Sequence, residues 1–235
     1  MAIDVILIAF SYVLYQEGIA MTISQVANLM SIPIAVVCLS ISIRAFYVYN
    51  LSRSDMLFML GLSMATIGVG TFMGTIGDAH IGGNHFATDW TRSFGACCGG
   101  LFIFLSSLMK SHEQMRQLRR WQIVATALFV TIIILTPLFP PVPGPPASFA
   151  LNACRMIIYT CAFVRYAMLY TSKGTRFSFI LGTGFFVLVI GYSLNIPGIF
   201  YTQFAFLTII AATVRIVAYL TLLGGYSVRR TALSR

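Results

Sequence analysis

The chain has 235 residues, mean hydropathy +0.88, 58% hydrophobic and 9% charged residues. A soluble domain carries roughly a quarter charged residues, so a soluble globular fold is excluded, and disorder, which needs high charge and low hydrophobicity, falls with it. A porin-type barrel needs short alternating segments, whereas these apolar runs are long and unbroken. The composition predicts an all-α polytopic membrane protein, and the absence of organelle-targeting features places it in the cell membrane.

The first sixteen residues form an apolar run that is short for a span and lacks the positive start of a secretory signal. Residues 1–17 are expected to form an interfacial helix, with a tilted eighth span or a signal cleaved after Ala20 as alternatives. The remainder, 18–235, is expected to form one seven-helix transmembrane bundle with no appended soluble domain. Its spans are located by charge-free stretches, since about 20 apolar helical residues cross the hydrocarbon core. These are 18–43 (ended by Arg44), 56–77, 93–109, 121–139 and 149–171. The uncharged stretch 177–214 is too long for one helix, and Asn195-Ile196-Pro197-Gly198 supplies turn chemistry to divide it into 178–195 and 202–226. The proline-rich segment 137–146 reads as a stiff, extended loop. No internal repeat stands out, so nothing favours an inverted-repeat transporter.

Charge sets the orientation. Segments 44–55, 110–120, 172–177 and 227–235 share one side and hold eleven basic and two acidic residues. The other side holds Asp4, Glu17, Asp78 and Asp89, with Arg92 as its one basic residue. The positive-inside rule then predicts an outer N-terminus and a cytoplasmic C-terminus. The net +9 is distributed in these short clusters without aromatic interleaving, which argues against nucleic acid.

Several chemistries are excluded by what is missing. Both lysines, Lys110 and Lys173, lie at span ends, so no retinal Schiff base is expected. His80, His85 and His112 lie outside the spans, so no haem is expected. No HExxH, GxSxG or Walker motif is present. The five cysteines sit in or beside apolar runs and read as small apolar fillers, with no CxxC pair.

Three sets of residues remain. The outer loop gathers Asp78, His80, His85 and Asp89, a set able to hold zinc with an open position; equally, the two aspartates serve as helix caps in a polar turn. Gly70-x3-Gly74 and Gly95-x3-Gly99 flank this loop and permit close helix approach. Arg155, Arg165 and Arg215 lie inside spans, where an arginine costs roughly 2.5–3.5 kcal/mol at the helix centre. Arg215 is the deepest and needs a carbonyl, hydroxyl, water, lipid phosphate or anionic ligand as partner. Arg155 and Arg165, about 15 Å apart along one helix, are too distant to clasp one small ligand. Lys110, Arg116, Arg119 and Arg120 form a basic face for anionic lipid or a cytoplasmic partner, on a segment expected to extend the third helix beyond the membrane.

These sets support three readings. The first is a sensory or partner-binding membrane module without its own output domain and without catalysis, its outer His/Asp loop coupled to the basic cytoplasmic face. The second is an intramembrane metal-dependent hydrolase built on the loop. The third is a transporter or binder of an anionic solute or lipid through the intramembrane arginines.

Overall fold

The computed structural model describes residues 26, 29–78, 88–109, 111–135, 144–204 and 206–233. Among them are seven long apolar helices and no strand, consistent with a helical membrane bundle. They are α1 (Ser31–Ser52), α2 (Asp55–Asp78), α3 (Thr88–Leu108), α4 (His112–Leu135), α5 (Pro145–Lys173), α6 (Arg176–Phe200) and α7 (Phe206–Leu233). Residues 1–17, expected as an interfacial helix, lie outside the described residues, as does the start of the first span.

Several boundaries differ from the sequence reading. Helix α1 does not stop at Arg44 but continues to Ser52; one arginine near a span end lays its stem along apolar surface and leaves the backbone ladder intact. Helix α3 ends at Leu108, so residues 112–120 do not extend it; they are the first turns of α4. Ser111 is the reason. Its hydroxyl accepts the backbone N–H of Glu113 at 3.2 Å and of Gln114 at 3.4 Å, a cap that starts a new helix. Finally, α6 passes through Asn195-Ile196-Pro197-Gly198 without breaking. Pro197 forgoes one ladder bond, a loss that spanning helices tolerate. The break falls at Tyr201, in extended backbone, whose N–H returns to the Pro197 carbonyl at 3.0 Å, followed by a 3₁₀ turn at Thr202–Phe204. Pro145 and Pro146, expected in an extended loop, instead occupy the first helical positions of α5, where a missing N–H costs nothing.

The helices close into a ring in the order α1, α2, α3, α5, α6, α7 and back to α1, with α4 outside against α2 and α3. The ring is filled: Cys38, Met64, Ile67, Tyr159, Leu181, Phe185, Leu188, Tyr219 and Leu222 are buried at its centre. Helix α4 buries only Leu118, Gln122 and Phe129. It is held by the Gln122 amide, which donates to the Met59 carbonyl at 2.9 Å and the Ser63 hydroxyl at 2.8 Å. Such bonds matter here because lipid gives apolar helix faces no reason to associate. Three of the four glycines expected to permit close approach, Gly70, Gly95 and Gly99, do so. A Cβ on Gly70 would lie 3.2 Å from the Gly95 Cα, and one on Gly99 2.6 Å from the Ser63 carbonyl.

Contrary to the reading of no repeat, two corners of the ring share one construction. Arg53 ends α1 in the left-handed region (φ 55°) and Gly174 ends α5 there (φ 61°), the two described residues with positive φ. Each donates its N–H at 2.7 Å to the carbonyl of a tyrosine four residues earlier, Tyr49 or Tyr170. Those tyrosines meet phenylalanines of the next helix at matching geometry: Tyr49–Phe58 at 5.3 Å and 61°, Tyr170–Phe179 at 5.2 Å and 51°. Every pair is offset by 121 positions (53 to 174, 49 to 170, 58 to 179), and the same offset relates Arg44 to Arg165, Gly61 to Gly182 and Gly70 to Gly191.

Candidate functional site: two arginines on one tyrosine

Helices α5, α6 and α7 bring together two of the three intramembrane arginines. Arg155 comes from α5, ten residues beyond its start, and is buried. Its Nε donates to the Leu151 carbonyl at 3.2 Å and its Nη2 to Asn152 Oδ1 at 2.8 Å. Arg215 comes from α7 and is half-buried, with its Nε donating to the Ala211 carbonyl at 3.1 Å. Both guanidinium carbons lie over the Tyr192 ring of α6, Arg155 at 4.7 Å and Arg215 at 5.3 Å from its centroid. A desolvated cation over an aromatic face gains about 2 kcal/mol, which offsets part of the cost of each buried charge.

Local sequence explains the geometry. Asn152 and Arg155 are three apart and therefore neighbours on one helix face. Gly191 makes room beside Tyr192: a Cβ there would lie 2.8 Å from the Arg215 Cγ, so the glycine admits the arginine stem between α6 and α7. Below the arginines runs a column of rings. Tyr192 stacks on Tyr159 (5.5 Å), Tyr159 on Phe185 (6.1 Å) and Phe185 on Tyr166 (5.5 Å). Tyr159 also donates its hydroxyl to the Ala96 carbonyl of α3 at 3.3 Å.

The other expected residues fall elsewhere. Arg165 stands apart from Arg155, as their helical separation requires, and its Nε donates to the Ser107 carbonyl at 3.2 Å. Arg119 is paired with Asp55 at 2.8 Å and lies 4.4 Å over the Phe58 ring, so it binds α4 to α2. Arg116 and Arg120 are exposed. Lys110, His80 and His85 lie outside the described residues, while Asp78 ends α2 and Asp89 lies in the first turn of α3. Among the described residues no three His, Cys, Asp or Glu side chains gather into a metal-binding group. Cysteine as buried filler holds for Cys38, while Cys154 is exposed.

Sequence reasoning found the two arginines but missed Tyr192 and Asn152, which position them. Asn152 carried a signal, its spacing from Arg155. Tyr192 carried none, being one aromatic among many in an apolar run. Comparison with protein families, curated proteins and solved structures gave no match.

Proposed function

We propose that this chain is a multi-pass membrane protein that binds an oxyanion between its helices through Arg155 and Arg215, with its basic end in the cytoplasm and the arginine site in the outer half of a cell membrane. One observation carries the reading: two guanidiniums share one tyrosine inside the bundle, and the carboxylates with described side chains, Asp55 and Glu113, both lie toward the opposite, basic end. Two like charges in a low-dielectric interior repel each other strongly. A carboxylate or phosphate between them reverses that repulsion and accepts charge-assisted, forked hydrogen bonds, the geometry for which arginine is suited. The Asn152 amide, already bonded to Arg155, holds the guanidinium plane. The sensory and hydrolase readings rest on the loop around His80 and His85, and no described contact favours either over this one.

The shared chemistry of a lipid phosphate and a free oxyanion calls for two measurements on the full chain in mild detergent. Binding of radiolabelled inorganic phosphate tests the free ion, and native mass spectrometry tests for a retained acidic lipid. The expected result is that one of them is present in the native chain and weakened about 30-fold in Arg215→Leu, the worth of roughly 2 kcal/mol of charge-assisted bonding. Equal binding by the native chain and this variant, for both phosphate and lipid, overturns the reading.

A further inference from the structure

The matching corners divide the ring into two units, α1–α3 and α5–α7. Within each unit consecutive helices pack extensively, while the units meet at two lesser seams, α3 on α5 and α7 on α1. Exchanging the units turns one seam into the other, so a pseudo-two-fold axis runs along the ring between them. The units are closely packed internally. Gly70 meets Gly95 backbone to backbone between α2 and α3, and a Cβ on Gly184 would lie 2.6 Å from the Leu222 side chain between α6 and α7. The seams are held by lighter contacts, such as Met30 Sδ to Thr213 Oγ1 at 3.7 Å and the Tyr159 hydroxyl on the Ala96 carbonyl. The arginine site reaches this division: Arg155, Tyr192 and Arg215 belong to the second unit, and Tyr192 stacks on Tyr159, whose hydroxyl bonds the Ala96 carbonyl of the first. On its basic-end side the path is closed by the stacked rings of Tyr159, Phe185 and Tyr166.

We infer that the chain is a tandem duplication of a three-helix unit joined through α4, and that its two units rock about the pseudo-two-fold axis to carry a free oxyanion, held at Arg155 and Arg215, across the membrane. Repeats related by an axis along the membrane normal, with a substrate site between them, support alternating access by rigid-body motion. Packed units moving at lighter seams provide that motion without deforming either core. The inference rests on the oxyanion-binding reading, and it excludes a lipid headgroup as the cargo.

The test reconstitutes the full chain in phosphatidylcholine–phosphatidylglycerol vesicles loaded with inorganic phosphate and follows exchange of external radiolabelled phosphate. Two locks are applied, one at each seam. The α3–α5 seam already carries a native pair, Cys97 of α3 and Cys154 of α5, both free thiols near enough to influence each other. Diamide joins them, taking up the two protons and two electrons, and Cys154→Ser is the control. The α7–α1 seam is locked by Met30→Cys with Thr213→Cys in the Cys154→Ser background. Exchange is expected above that of protein-free vesicles, to fall about tenfold or more on oxidation at either seam, and to recover with reductant, while phosphate binding in detergent stays within about twofold. Two independent locks guard against one variant failing to fold. Phosphate binding without exchange, or exchange that neither lock slows, overturns the transport inference and leaves the binding reading standing. A retained lipid with no phosphate binding does the same. Absence of both phosphate and lipid binding removes the binding reading and this inference together.

Discussion

The two three-helix units share a corner, a ring contact and a glycine register, yet they use the same glycine position differently. In the first unit, Gly70 brings the backbone of α2 against that of α3 at Gly95. In the second, Gly191 gives its space to the stem of Arg215. The same division holds elsewhere. At the positions 121 residues before Arg155, Tyr159 and Tyr192 stand Ile34, Cys38 and Thr71, so the first unit has neither the guanidinium nor the stacked tyrosines at these positions. A small residue facing a neighbouring helix can therefore serve packing or it can house a long polar side chain. On the proposed reading, the first unit is scaffold and the second unit carries the anion site.

This contrast can be broken by substitutions at the two glycines. The largest effect is expected for Gly95→Val, which forces a branched side chain against the Thr66 carbonyl, 2.8 Å from a Cβ there, and the Gly70 Cα. It should cost about 3 kcal/mol or prevent folding, read as a lower melting temperature in detergent or loss of the monodisperse species. Next comes Arg215→Leu, where phosphate affinity falls about 30-fold while the melting temperature holds or rises, because a costly intramembrane charge is removed. Gly191→Ala should show a smaller version of that signature. The added methyl displaces the Arg215 stem, lowering affinity about fivefold with roughly 1 kcal/mol of stability lost. If it instead destabilises as much as Gly95→Val with binding intact, the division between scaffold and site is wrong. The smallest pair sharpens the corner equivalence. Arg53→Gly relieves a left-handed residue and should stabilise by about 0.5–1 kcal/mol, whereas Gly174→Ala should destabilise by about 1 kcal/mol. Opposite signs in thermal melts are the outcome that supports the match.

Helix number and type were legible from charge-free runs because the bilayer forbids unpaired charge and unpaired backbone alike. Helix ends were less so, since charge marks the membrane boundary and capping marks the helix boundary, and the two need not coincide. Arg44 lies inside α1 and Pro197 inside α6, while the signal that α4 begins at His112 was the Ser111 hydroxyl with Gln114 three residues on. The repeat escaped a reading by letters because few letters carry it. Tyr49 and Tyr170, Phe58 and Phe179, and Gly70 and Gly191 persist, while the surrounding apolar residues exchange freely in lipid. The arginines were legible as expensive residues. Their meeting on Tyr192 was not, because it depends on how three helices separated by dozens of residues come together.

Helix α4 contributes little to the core, and its consequence belongs to biogenesis. A unit of three spans starts and finishes on opposite sides of a membrane, so two such units joined directly would enter head to tail and mirror one another. One extra span restores a common orientation, and α4 is that span. In the proposed orientation its first turns, with Arg116, Arg119 and Arg120, would serve as a retention signal when the insertion machinery decides which way the helix faces. Deleting α4 should therefore do more than loosen a peripheral contact. It should present the second unit to the bilayer upside down, against the preference of its own Lys173 and Arg176, and leave a chain with all of its remaining helices and no ring.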